Sequence, residues 1–201
     1  MTSTLPPPPA TRKARATHER LVAATREVVR RSGVLAPEAI AEHASVSPAT
    51  FYTYFSSKDE ALAAAFDAVL AEMRVRLEAT LGVEQVLEEG LAPVVRRMTH
   101  EVVRGFAHDA RLFRLAISRL PDSEVIRAVY RGREAEALAL LARFVRLSAA
   151  AGRVRPADPD TLAAALLVSV QGLQNPLLHR PGAAPVIDEI AAVVVALLAP
   201  R

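Results

Sequence analysis

Along most of the chain apolar residues recur three and four positions apart, and Gly, Pro, Ser and Asp mark the breaks in that rhythm. The pattern predicts an all-α protein of about nine helices; no block of alternating β-branched residues reads as a strand. A first helix from about Ala14 to Ser32 turns Leu21, Ala24, Val28 and Val29 inward and stops at Gly33. Two short helices follow, over 36–44 and 48–55. The first opens at Ala36-Pro37 and buries Ala39, Ile40, His43 and Ala44. Ser45-Val46-Ser47 interrupts it, and Ser47 is placed to cap the second. Pro48 takes that helix's first position, where its missing N–H costs nothing. A long fourth helix opens at Ser56-Ser57-Lys58-Asp59-Glu60, a serine cap ahead of an acidic first turn. It carries Leu62, Phe66, Val69, Leu70, Met73 and Leu77 up to Gly82.

Beyond Val83 the pattern is that of a larger helical domain. A helix over 83–106 contains Gly90 and Pro93, which predict a kink or break near its middle. Asp109 is expected to cap a short helix that Pro121 stops, and a long helix runs from Asp122 to Ala151 past Gly132. The eighth predicted helix starts at Asp158-Pro159-Asp160 and has an almost wholly apolar body from Thr161 to Leu173. The ninth, Ala184 to Leu198, repeats that excess. A symmetric homodimer solves the burial problem by pairing these two helices with their copies in a four-helix bundle. Leu162, Leu166, Val170, Leu173, Ile187, Ile190, Val194 and Leu198 are the expected interface. The domain reading is a Pro-rich disordered arm over 1–10, a head over 11–57, and a C-terminal ligand-binding and dimerisation domain over 58–201.

The pair 36–44 and 48–55 reads as a helix-turn-helix. Val46, Phe51 and Phe55 anchor its second helix, leaving Thr50, Tyr52, Thr53 and Tyr54 as hydroxyls able to reach phosphates and base edges in a major groove. Charge supports this. Overall the 201 residues carry +3, yet positions 11 to 31 hold Arg12, Lys13, Arg15, Arg20, Arg26, Arg30 and Arg31 against only Glu19 and Glu27. A basic end on an otherwise near-neutral protein is the footprint of a nucleic-acid contact, although a solvated arginine-rich helix face accounts equally well for the charge alone. Lys58 and Lys13 are the chain's two lysines. At a helix N-terminus Lys58 is electrostatically awkward unless an anion such as phosphate sits nearby.

Ile40-Ala41, Ala44-x-Val46-Ser47, Thr50-Phe51-Tyr52, Tyr54-Phe55 and Ser57-Lys58-Asp59-Glu60-Ala61-Leu62 together resemble the DNA-binding signature of the TetR family of transcriptional regulators. The resemblance spans about Arg15 to Leu70. Family members usually carry Gly in the turn where this chain has Ser45, so Ser45 must accept whatever backbone the turn imposes, a left-handed one included. They also tend to have a longer link and a capping Thr where this chain has Gly33-Val34-Leu35-Ala36. The resemblance implies a homodimeric repressor on a palindromic operator, released when a small hydrophobic effector enters the C-terminal helices. Ser47, Pro48, Ala49, Thr50, Tyr52, Thr53, Tyr54 and Lys58 are the expected DNA-contacting residues, with Arg12, Lys13 and Arg15 adding a non-specific term. For the effector pocket the candidate lining is Met98, His100, Phe106, Phe113, Tyr130 and Phe144. Gln171 and Asn175, four apart on the otherwise apolar eighth helix, complete the set.

Other function classes find little support. His18, His43, His100, His108 and His179 show no metal-ligand spacing, and no phosphate loop or nucleophile elbow is present, so neither an enzyme nor a metal or cofactor site is expected. Cysteine is absent, and the longest apolar runs, Leu162–Val168 and Ile190–Pro200, fall short of the roughly 18 residues of a membrane span. These features predict a soluble, cytoplasmic protein with no membrane partner. A helical module that docks protein instead of DNA, or a ligand-independent regulator, is the alternative; salt dependence of binding separates a DNA reader from a protein-docking module.

Overall fold

The computed structural model describes residue 5 and residues 9–200. The expected Pro-rich arm over 1–10 therefore lies almost wholly outside the described residues. Ten α-helices and one 3-10 turn, with no strand, make up the described chain. They form two compact units whose boundaries cut across helices α4 and α8.

The first unit holds the residues up to Ala71 together with Asp109–Arg133. Helix α1, Arg12–Ser32, begins two residues earlier than its apolar pattern suggests because the Thr11 side chain accepts a hydrogen bond from the Ala14 N–H at 3.2 Å. It ends at Gly33, whose φ of 74° lets its N–H reach the Val29 carbonyl. Thr25 joins Leu21, Ala24 and Val29 in the core, since its hydroxyl donates to the Leu21 carbonyl at 2.8 Å; Val28 is half-exposed. Helices α2, Pro37–His43, and α3, Pro48–Tyr54, pack against each other, and α2 also packs on α1. In α2 the buried face is Pro37, Ile40 and Ala41, and His43 points to solvent, contrary to the sequence expectation.

Helix α4, Lys58–Thr80, is capped as expected. Ser57 Oγ accepts from the Glu60 N–H at 3.1 Å, and the Glu60 carboxylate reaches back to the Ser56 N–H at 2.6 Å. Around its buried Phe66 the unit's core closes with α7, Ala110–Arg119, and the start of α8, Glu124–Ala150. Phe113 meets Phe66 edge-on at 5.4 Å, and Tyr130 stacks on it at 6.4 Å. Burial of a phenylalanine of this kind is worth about 2–3 kcal/mol.

The second unit holds Glu72–His108 and the residues from Glu134 onward. The helix predicted over 83–106 is two: α5, Val83–Glu89, and α6, Leu91–His108. The break falls at Gly90, whose backbone (φ 90°, ψ 165°) is open only to glycine. Pro93 then sits in the first turn of α6, where no intrahelical partner is lost, so no kink is needed. Helix α6 packs chiefly on α10, Ala184–Leu198. Helix α9, Pro159–Gly172, stops short of the predicted Leu173, and a 3-10 turn, Pro176–His179, follows it.

The phase of the last two helices corrects the expected dimer face. Leu162 and Leu198 are 2% and 1% exposed, and Leu166, Leu173, Ile187 and Val194 are buried with them inside the subunit. Only Val170 and Ile190 of the eight are half-exposed. The side turned to solvent instead carries Val168 and Val193, 68% and 69% exposed, with Val186 and Leu177. Pattern alone could not phase helices that are apolar nearly all round. The surplus apolar surface is present, on the opposite face.

Candidate nucleic-acid interface

Helix α3 is short, and its ends are fixed by side chains of its own sequence. Ser47 at the N-cap accepts from the Thr50 N–H at 3.1 Å, and the two hydroxyls lie 2.9 Å apart. The turn before it closes with the Ser45 N–H on the Glu42 carbonyl and the Val46 N–H on the Ala41 carbonyl. Ser45 takes φ 54°, the left-handed backbone that glycine adopts at least cost. Phe51 and Phe55 are buried, 5.4 Å ring to ring, and fix the inner face of α3.

The outer face follows from that anchoring. Ser47, Pro48, Ala49, Tyr52 and Thr53 are exposed, while Thr50 and Tyr54 are half-buried. Tyr52 is 53% exposed and stands edge-on against Phe51 at 5.2 Å, so its ring is braced while its hydroxyl faces outward. The Thr53 hydroxyl donates to the Ala49 carbonyl at 3.1 Å and retains acceptor capacity. Lys58 is exposed in the first turn of α4.

On α1 the seven basic residues divide into two classes. Arg26 is held by Asp109, and Arg30 and Arg31 by Glu27, whose carboxyl is lowered to about 2 chiefly by its hydrogen bond from Arg30. Arg12, Lys13, Arg15 and Arg20 are exposed and form no ion pair among the described residues. Lys13, Thr17 and Arg20 share one face with Ala16 and Ala23, bordering an open hollow of about 550 Å³. Arg20 is missing from the sequence-based set of contacts, although its spacing of seven from Lys13 and three from Thr17 marks the same face.

The expected effector residues are distributed over both units. Phe113 and Tyr130 belong to the first unit's core around Phe66. Met98, Phe106 and Phe144 are buried in the second unit. His100 is half-buried with Nε2 2.7 Å from Asp188 Oδ1, and Arg96 holds the same carboxylate with two bonds of 2.8 Å. These partners lower the Asp188 carboxyl to about 2, Arg96 contributing most. The Gln171 amide donates to Glu134 at 3.2 Å. Asn175 lies beyond the end of α9, contrary to its expected place on that helix, and its side chain caps the 3-10 turn by accepting from the Leu177 N–H at 2.9 Å. Of the expected lining, Met98 alone borders the free space between the second half of α4 and α6. That space is about 10 Å³, shared with Met73, Leu77, Val102 and Gly105. Among the described residues no group of three or more His, Asp or Glu could hold a metal, and no helix is long and apolar enough to cross a membrane.

Residues 21–65, which contain the two short helices and their cap, match the family model of bacterial regulatory proteins of the tetR family. No curated protein sequence is significantly similar. Solved structures share the whole fold. A protein from Mesorhizobium loti MAFF303099, assigned as a TetR-family transcriptional regulator, is 19% identical. It superimposes with a TM-score of 0.77 over 94% of this chain and 99% of its own. A TetR transcription regulator from Haloarcula marismortui ATCC 43049 is 17% identical, with a TM-score of 0.74 over 92% and 98%. A protein from Saccharomonospora viridis, assigned as a transcriptional regulator and solved in complex with choline, is 18% identical, with a TM-score of 0.70 over 92% and 99%. Residues 21–65 thus match the tetR family of bacterial regulatory proteins, and the chain carries the fold that these solved regulators share.

Proposed function

We propose that this regulator is a repressor that reads a palindromic operator as a homodimer and releases it when a small, largely apolar effector enters the C-terminal helices. The observation that carries the DNA half is the outer face of α3, where Tyr52 and Thr53 stand exposed on a helix pinned from behind by Phe51 and Phe55. Thr50 and its polar neighbours read base edges. Tyr52, Tyr54 and Lys58 hold phosphates, and Arg12, Lys13 and Arg15, with Arg20 beside them, supply the sequence-independent attraction. Two reading helices must meet successive major grooves about 34–36 Å apart, so the homodimer is part of the reading mechanism. The exposed face of Val168, Val186 and Val193 is the surface such a dimer buries.

The effector half rests on composition. Met73 and Met98 flank Gly105, where a Cβ would stand only 3.6 Å from the Met73 side chain. Methionines are flexible fillers, so this seam can open where branched residues could not. At about 10 Å³ it must open, since ligand sites occupy about 300–1,000 Å³. That a protein of this fold was solved in complex with choline supports a small-molecule effector.

Selection of bound sequences from a random duplex pool tests the reading. A two-fold symmetric consensus, followed by compounds that release it, is the expected outcome. Enrichment of no sequence, together with binding that ignores salt, would favour the protein-docking alternative.

A further inference from the structure

His18 on α1 faces the end of α3. Its ring centroid is 5.3 Å from that of Phe55 and 6.4 Å from that of Tyr54, tilted by 45° and 46°. The two tyrosines of α3 are therefore supported differently. Tyr52 leans on Phe51 of its own helix, whereas Tyr54 is the helix's last residue and the chain turns extended at Phe55. The helix does not continue past Tyr54, and α1 provides an aromatic neighbour for its ring. Phe55, itself buried, is the fixed surface against which His18 rests. Burial lowers the pKa of His18 despite the opposing pull of Glu19 and Glu60, so the ring packs as an uncharged aromatic at neutral pH.

We propose that His18 is a positioning residue for DNA binding, whose imidazole holds the Tyr54 ring so that its hydroxyl meets a backbone phosphate. This rests on the phosphate role proposed above for Tyr54. A free tyrosine ring must be immobilised when the duplex arrives, and that ordering weakens binding; a ring already held by His18 avoids most of it.

The test is a double-mutant cycle on the full-length protein, with affinity measured on the duplex that the parent chain enriches from a random pool. His18→Ala should weaken binding about fivefold, the size of one side chain left to be ordered. Tyr54→Phe, which keeps the ring and removes the hydroxyl, should weaken it about tenfold. The combined variant should bind no more weakly than Tyr54→Phe alone, because without a hydroxyl there is nothing left to position. His18→Phe, which keeps an aromatic ring at position 18, should restore affinity to within about twofold of the parent. Rescue by His18→Phe also separates positioning from a general loss of folding in His18→Ala.

If Tyr54→Phe weakens binding while His18→Ala does not, or the two losses simply add, the positioning role is wrong and the phosphate reading stands. If Tyr54→Phe has no effect, or the parent enriches no duplex, the phosphate reading fails and the positioning role falls with it.

Discussion

Arg26 of α1 grips Asp109, the residue that opens α7, through two hydrogen bonds: Nε to Oδ1 at 2.9 Å and Nη2 to Oδ2 at 2.8 Å. The Asp109 side chain is only 3% exposed, and it makes no capping bond to α7, the role its position suggests. Nearby, the Arg111 guanidinium donates to the carbonyls of Arg30 and Arg31 at the end of α1. Helix α7 is thus bound twice to the helix that braces the reading pair. Arg26→Ala leaves a buried carboxylate without its charge partner and should cost about 3 kcal/mol in denaturant unfolding. Replacing both residues by leucine should recover most of that loss. A single substitution that left the midpoint unchanged would show the pair to be incidental.

Ser45 holds φ 54° in the turn between α2 and α3. A side chain there pays a backbone penalty that glycine does not, so Ser45→Gly should stabilise the protein by up to about 1 kcal/mol. Ser45→Val, β-branched, should destabilise it. Thermal melting of the three proteins checks the order, and DNA affinity at a temperature where all are folded should be unchanged by the glycine.

Val168 and Val193 are exposed, whereas Leu162 and Leu198 are buried. Val193→Glu should therefore convert a dimer to a folded monomer, with far-UV helicity kept. Leu198→Ala should lower stability by about 2–5 kcal/mol without a comparable shift in subunit association. Sedimentation equilibrium distinguishes the two. A dimer untouched by glutamate at position 193 would move the interface elsewhere.

How much of this was legible in the sequence depends on the range of each signal. The reading pair is legible because its signals are local: Ser47 and Pro48 open α3, Phe51 and Phe55 share a face, and Ser57 caps α4. The left-handed turn is legible too, since a serine stands where the resembling family uses glycine. The phase of α9 and α10 is not, because periodicity conveys no direction when nearly every position is apolar. The contacts of Arg26 with Asp109 and of His100 with Asp188 span 83 and 88 residues. Nothing in a neighbouring stretch of sequence announces such partners. For the same reason the packing of Phe113 and Tyr130 on Phe66 is visible only in the structure.

Asp188 joins α10 to α6 through Arg96 and His100, and its carboxyl is lowered to about 2 from an ordinary 3.8. A carboxylate with a depressed folded pKa adds stability that is fully present above its unfolded pKa and lost as pH falls through the folded one. The contribution of Asp188 should thus be intact at pH 5 and decline between about pH 4 and 2. Asp188→Asn should flatten the acid limb of the denaturation midpoint against pH in that window. Identical acid limbs for parent and variant would assign the acid sensitivity to other carboxylates.

The central claim, that α3 and the start of α4 sit on duplex DNA, is tested most directly by the salt dependence of duplex affinity for the parent and for Lys58→Ala. Affinity of the parent should fall linearly in log–log form, and loss of Lys58 should make the slope shallower by about 0.9 for each subunit bound. A parent slope near zero, or a Lys58→Ala slope equal to the parent's, would contradict the account.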